Sequence, residues 1–184
     1  HALKADGLAF DPIVAFGSST SQPHYQGVAL KTLSERDIIL LDFGARVHGY
    51  CGDMTRVLFV GKPKEVWMRA YKAVLEAQKR ALDALSRGQR SGAKLDAHAK
   101  AVIENAGFIP YSHSLGHAVG LDIHEAPRLT IKKDEALKPG MVFSIEPAVY
   151  VEGKFGIRIE DLVHLKKGGP EILSKSPKDL TIID

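Results

Sequence analysis

The chain has 184 residues, with 25 basic side chains against 22 acidic ones, 45% hydrophobic residues and a single cysteine. Folding at this length buries roughly 70% of the surface the unfolded chain exposes, and the composition is neither charged enough for disorder nor patterned for a coiled coil. No apolar run reaches the ~18 to 20 residues of a bilayer span, which argues against an integral membrane protein. The basic residues are scattered, Lys132-Lys133 and Lys166-Lys167 being the densest spots, which argues against a nucleic-acid binder, whose charge gathers on one face. Cys51, standing alone, excludes an internal disulfide and a multi-cysteine zinc site.

The first third reads as extended. Pro12-Ile-Val-Ala-Phe16 is a short apolar run closed by the turn-rich residues 17–23. Residues 37–44, Asp-Ile-Ile-Leu-Leu-Asp-Phe-Gly, form a buried strand with an acid near its end; Val47-His-Gly-Tyr50 is a turn, and residues 54–60 are the returning strand of a β-hairpin. From Pro63 the period changes: Trp67, Ala70, Tyr71, Val74, Ala77, Ala81 and Leu85 recur at three- and four-residue steps, one apolar helical stripe that Gly88 ends. A second helix is expected over residues 93–106, with Leu95, Ala99, Val102 and Ile103 inward and Gly107 as its stop. Residues 141–151 and 156–165 then flank a turn at Gly153 as a second hairpin. No linker or low-complexity stretch interrupts the sequence, so residues 1–184 are read as one α+β domain.

Strand pairing brings the acids into focus. Asp42 and Asp53 are symmetric about the Val47–His48 bond, so a hairpin turning there sets them directly opposite, and a shifted turn leaves them diagonal on the same face. Glu146 and Glu160 repeat the arrangement about Gly153. Opposed residues carry Cβ atoms ~5 Å apart, and buried like charges at that spacing need a shared proton or a cation. Three histidines, His113, His117 and His124, fall within one short segment beside Gly116 and Gly120, a clustering that favours a metal or proton-transfer role. His48, His98 and His164 lack such company and are read as structural. Cys51 is read as a small residue packed in the hairpin, since no base is placed to activate it.

Four carboxylates and an imidazole make an oxygen-rich site in which two divalent cations would balance four negative charges. Such ligands suit manganese, cobalt, iron or zinc rather than copper(I), and a pair of bridged cations activates water while polarising a carbonyl. The chemistry implied is hydrolysis.

The series Asp42, Asp53, His117, Glu146 and Glu160 resembles the five metal ligands of the pita-bread metallopeptidases, which include methionine aminopeptidase, aminopeptidase P and prolidase. The likeness runs from about Phe10 to Leu173 and is carried jointly by Leu41-Asp-Phe-Gly44, Gly52-Asp-Met-Thr-Arg56, His113-Ser-Leu-Gly-His117, Ile145-Glu-Pro147 and Gly156-Ile-Arg-Ile-Glu-Asp161. Leu121-Asp-Ile-His-Glu125 and Arg158 resemble the Xaa-Pro branch, prolidase and aminopeptidase P, more than methionine aminopeptidase.

This resemblance implies a pita-bread fold, an antiparallel sheet with helices on its outer face, and cleavage of the bond before proline in small peptides with proline in second position. The chain would act as an Xaa-Pro dipeptidase or aminopeptidase with two divalent ions, manganese or cobalt first among the candidates. A hydroxide bridging the ions would attack the carbonyl, Glu146 would shuttle the proton, and His124 would help stabilise the oxyanion. His24 corresponds to an active-site histidine beside the metals, and His113 and His124 to substrate-contacting ones. The likeness further implies a homodimer, and the lone cysteine fits a reducing compartment, so a cytoplasmic location is expected. Family members begin with two helices, and usually a separate domain, before the segment at Asp11. Residues 1–4 read as the tail end of a helix, so the chain is expected to lack that N-terminal part, which becomes its missing partner. The competing expectations are a methionine aminopeptidase and a non-catalytic peptide-binding domain of the same fold.

Overall fold

The computed structural model of the chain describes residues 4–27 and 32–183. The helix tail expected at residues 1–4 falls outside this range except for Lys4, which is in neither helix nor strand. Strands β1 (Gly7–Leu8) and β2 (Ile13–Phe16) come first, followed by a short 3-10 helix, Gly17–Ser21, where the sequence suggested only turns. Then come β3 (Ile38–Phe43), β4 (Ala45–Val47), β5 (Tyr50–Cys51) and β6 (Met54–Val60), helices α1 (Glu65–Ser86) and α2 (Gly92–Asn105), and β7 (Gly116–Ala118) with β8 (Glu125–Leu129). The chain ends in β9 (Val142–Ile145), β10 (Ala148–Val151), β11 (Phe155–Arg158), β12 (Asp161–Lys166), β13 (Gly169–Ile172) and β14 (Thr181–Ile183).

Two larger sheets carry the architecture. One runs β14-β6-β3-β2 and the other β13-β12-β9-β7-β8, with β10-β11 and β1-β4-β5 as smaller extensions. Among the described residues all strand pairings are antiparallel except β14 on β6.

The helices are where the sequence pattern placed them. Trp67, Ala70, Tyr71, Val74, Ala77, Ala81 and Leu85 are all buried on one face of α1, and Leu95, Ala99 and Ile103 on α2. Fully burying a large apolar side chain is worth ~1.5–3 kcal/mol, so this stripe, packed on β10, β11, β13 and α2, holds the helical layer to the sheets. Both helices end in the same hydrogen-bond pair: Gly88 N to Leu85 O and Gln89 N to Ala84 O in α1, and Gly107 N to Glu104 O and Phe108 N to Ile103 O in α2. The start of α2 is one residue earlier than expected because Ser91 caps it, its hydroxyl accepting from Lys94 N at 3.1 Å. None of the described helices is long and apolar enough to cross a membrane.

Register decides how the acids meet. In the first hairpin Asp42 pairs with Thr55, not with Asp53, and Val47 pairs with Tyr50. The turn therefore lies at His48-Gly49, whose φ angles of 50° and 81° are the left-handed pair a two-residue hairpin turn needs. Directly opposed aspartates are thus corrected to the diagonal arrangement. In the second hairpin the expected register holds: Val151 pairs with Phe155, Ala148 with Arg158 and Ile145 with Asp161, which leaves Glu146 opposite Glu160.

Candidate metal centre

The two hairpins meet along β6 and the start of β12. Glu160 N donates to Thr55 O at 3.2 Å, and Arg56 donates to the carbonyls of Thr55 and Glu160. This seam turns both pairs of acids toward one cavity of about 180 Å³, lined by Asp42, Asp53, His117, Glu146, Glu160 and Arg158 together with His24, His113, His124 and Arg128. All nine site residues named from the sequence are therefore on the wall of the same cavity.

Ligand atoms of Asp53, His117 and Glu160 lie within 4.8 Å of one another. His117 is brought there by β7, an interior strand of the five-stranded sheet, between β9 and β8. Gly116 lets the strand approach β9 so closely that a Cβ at that position would fall 1.9 Å from Ser144 O. The ring nitrogen Nδ1 of His117 donates to Ala118 O at 3.1 Å, which turns Nε2 toward Glu146 (3.3 Å) and Asp53 (3.7 Å). Glu146 also accepts from the Ser144 hydroxyl at 3.1 Å.

Asp42 and Glu160 are held by a second set of contacts. Arg158 makes an ion pair with Asp42 Oδ2 at 2.5 Å, and its Nε donates to Thr55 Oγ1 at 3.0 Å. Thr55 in turn donates to Glu160 Oε2 at 2.6 Å. Arg158 also donates to the Tyr150 hydroxyl, which lies 3.4 Å from His113 Nε2, while His113 stacks on Tyr111 with ring centroids 4.9 Å apart. His124 is exposed at the rim and packs edge-on against His117 at 4.4 Å. His24 is exposed on the cavity wall.

The titrations follow from crowding. Glu160 is 2% exposed, and burial followed by repulsion from Asp53, Glu146 and Asp42 pushes its carboxyl well above the carboxylate range. Burial and the charges of Asp42 and Glu146 push Asp53 up to about 7. Burial raises Asp42 even against the neighbouring Arg158 guanidinium. Glu146 goes the other way: burial would raise it, but the bond from His117 and the charges of His113, His117 and Arg158 hold it below the usual range. Burial lowers His113 and His124, the latter helped by His117 and Arg128.

Two features fit this donor set to cations. Among the described residues Asp42 Oδ1 is a buried polar atom without a hydrogen-bond partner, an arrangement that costs ~1–3 kcal/mol unless something binds there. The four carboxylates and one imidazole are also the hard and borderline donors that divalent first-row ions prefer.

Several contributors carried no signal of their own in the sequence. Thr55, Ser144 and Tyr150 orient the acids, Arg158 and His113 as just described, and their hydroxyls became visible only once register was known. Arg128, on β8, lines the cavity without an ion-pair partner among the described residues; a lone arginine in a strand of mixed character gives no pattern.

The architecture is that of the pita-bread peptidases. Residues 1–167 match Metallopeptidase family M24, and the chain belongs to that family. It is 42% identical over 185 residues to the Xaa-Pro dipeptidase of Pyrococcus furiosus, an alignment covering 98% of this chain and 52% of that protein. Among solved structures, the X-Pro aminopeptidase from Thermotoga maritima MSB8 superposes with a TM-score of 0.91 at 41% identity, covering 97% of this chain and 51% of that one. A dipeptidase from Pyrococcus horikoshii OT3 gives 0.92 at 39% identity, covering 97% and 50%. The chain spans about half the length of the curated relatives it matches.

Proposed function

We propose that this chain is the catalytic part of a metal-dependent Xaa-Pro peptidase that hydrolyses the bond preceding proline. Asp42, Asp53, His117, Glu146 and Glu160 would hold two divalent ions, manganese or cobalt first among them. When bound, such a pair supplies Lewis acidity toward the scissile carbonyl and an acidified water as nucleophile.

The side chains do the rest. Glu146, kept ionised by His117, His113 and Arg158, accepts the proton from the attacking water and passes it to the leaving nitrogen. His124, kept neutral at neutral pH, presents an N–H to the oxygen on which charge develops. Arg158 fixes Asp42 and the Tyr150 hydroxyl, and through the latter the ring of His113. Arg128, whose guanidinium has no ion-pair partner among the described residues, offers it to the free carboxylate of a dipeptide, which lies only a few atoms from the scissile bond.

The observation that carries this reading is a buried acid cluster with an orphaned oxygen, Asp42 Oδ1, beside three ligand atoms within 4.8 Å. The names of the relatives, Xaa-Pro dipeptidase and X-Pro aminopeptidase, support the choice of substrate. Hydrolysis of Met-Pro and Met-Ala is to be followed with manganese and with chelator. The proposal expects Met-Pro cleavage that chelation abolishes; cleavage indifferent to metal removal overturns the metal role, and preference for Met-Ala overturns the proline specificity.

A further inference from the structure

Glu146 and Glu160 sit where the β9/β10–β11/β12 ladder is interrupted, and the cause is in the sequence. Ile159 N donates to Pro147 O at 3.4 Å, but proline has no N–H to return, so Ile159 O loses the bond that an ordinary antiparallel pair would supply. The two glutamate N–H groups point out of the ladder, that of Glu146 to Leu115 O and that of Glu160 to Thr55 O. At this break a helix supplies the missing donor. Gln78 of α1, 1% exposed, donates through Nε2 to Ile159 O at 3.3 Å and to Ile145 O at 3.1 Å. Its amide thereby ties together the two residues immediately preceding Glu146 and Glu160.

The orientation of that amide is itself fixed. Lys178 Nζ donates to Gln78 Oε1 at 2.9 Å and to Asp161 Oδ2 at 2.5 Å, and Asp161, fully buried, takes Arg56 on its other oxygen at 2.7 Å. Lys178 comes from the segment after β13, whose backbone is tied down by Arg56 to Ser176 O and Pro177 O and by the Tyr71 hydroxyl to Lys178 O and Asp179 O. Thus every polar atom of the Gln78 amide is used, and none of it faces the cavity.

We infer that Gln78, with its amide locked by Lys178, is a positioning residue that sets the separation of Glu146 and Glu160, and so the affinity of the site for its second cation. The inference rests on the two-metal reading of the cavity. Partners that orient metal ligands from behind typically account for 10–100-fold in metal affinity. Gln78→Met removes both donors at nearly constant volume, while Lys178→Met leaves Gln78 in place and frees its amide to rotate.

The test titrates manganese into the whole metal-free chain by calorimetry, with electron paramagnetic resonance of the spin-coupled pair as a second readout. Gln78→Met is expected to weaken the second binding event by 10–100-fold and to reduce the coupled signal. Lys178→Met should show the same trend more weakly, and Lys178→Arg should restore it. Leu95→Ala, a core truncation on α2 away from the cavity, controls for mere loss of stability and should leave both binding events unchanged. Two unaltered binding events in Gln78→Met, or equal weakening in Leu95→Ala, overturn the inference while sparing the two-metal reading. If Gln78→Met does not fold, Lys178→Met against Lys178→Arg decides it by the same criteria. A wild-type chain that binds no manganese overturns the parent reading instead.

Discussion

Asp42 and Asp53 stand diagonally across the first hairpin, whereas Glu146 and Glu160 face each other across the second. The first pair is eased by stagger and by a cation, since Arg158 contacts Asp42 directly. The second pair is separated by chemistry rather than distance. Glu146 is stabilised as a carboxylate by two imidazoles, while among the described residues the Glu160 carboxylate has no ion-pair partner, only the Thr55 hydroxyl. The two hairpins look alike in sequence, yet one manages repulsion by geometry and the other leaves it in place. Stored repulsion of this kind favours cation binding.

The sharpest way to break the comparison is to remove the cation that eases the first pair. Arg158→Met strands a buried Asp42, and losing one partner of a buried ion pair costs ~3–5 kcal/mol. Chemical denaturation of the metal-free protein at pH 8 should register that loss. It should shrink at pH 5.5, where Asp42, already raised by burial, can take up a proton. An Arg158→Met protein as stable as wild type at pH 8 would mean that Asp42 is not confined as described.

A second, intermediate effect is a pH dependence of the metal-free protein. The folded state keeps Asp53 protonated up to about 7, and Glu160 is likewise raised well above the carboxylate range, whereas the unfolded chain releases these protons near pH 4. The folded state therefore binds more protons in that window, and stability must fall as pH rises from about 5 to 8. His117, raised because the acids around it outweigh its burial, contributes with the same sign. A loss on the order of 2–4 kcal/mol, at ~2–4 °C per kcal/mol for a chain of this size, makes the expected fall in Tm about 4–16 °C. Saturating manganese should flatten or reverse the trend, because cations favour the ionised forms. A metal-free Tm that climbs over the same range would contradict the crowding of the acids.

The smallest effect separates the two turns. Gly153 has φ 67° with nothing within 4 Å of an added Cβ, and Gly49 has φ 81° with only a Leu121 methyl at 3.5 Å. Alanine at either should cost only the ~1–2 kcal/mol of a left-handed residue, read by thermal unfolding, without changing metal affinity. A change in affinity for one and not the other would show that the turn itself, rather than the strands behind it, fixes that pair of acids.

Much of this was readable before the structure. The α1 stripe, from Trp67 to Leu85, is buried residue for residue, and the symmetry about Gly153 is the observed register. The first hairpin was less legible because two turn positions, Val47-His48 and His48-Gly49, differ by one residue, and only the backbone angles choose between them. The short strands β4, β5, β7 and β8 gave too few alternating residues to announce themselves, so the strand that carries His117 into the interior of a sheet was not expected. Gln78 was invisible for a different reason. It interrupts the apolar stripe of α1 as a single polar residue, and its meaning depends on a proline missing a donor 69 positions later in a different element.

The central claim is that the cavity exists to hold a pair of cations, and a manganese titration of the metal-free chain, read by calorimetry with elemental analysis of the dialysed complex, addresses it directly. The account predicts two ions per chain, uptake that releases protons and weakens as pH falls below about 7, and loss of at least one ion in Glu160→Gln. Fewer than one ion per chain in the wild type, or undiminished uptake in Glu160→Gln, would contradict it.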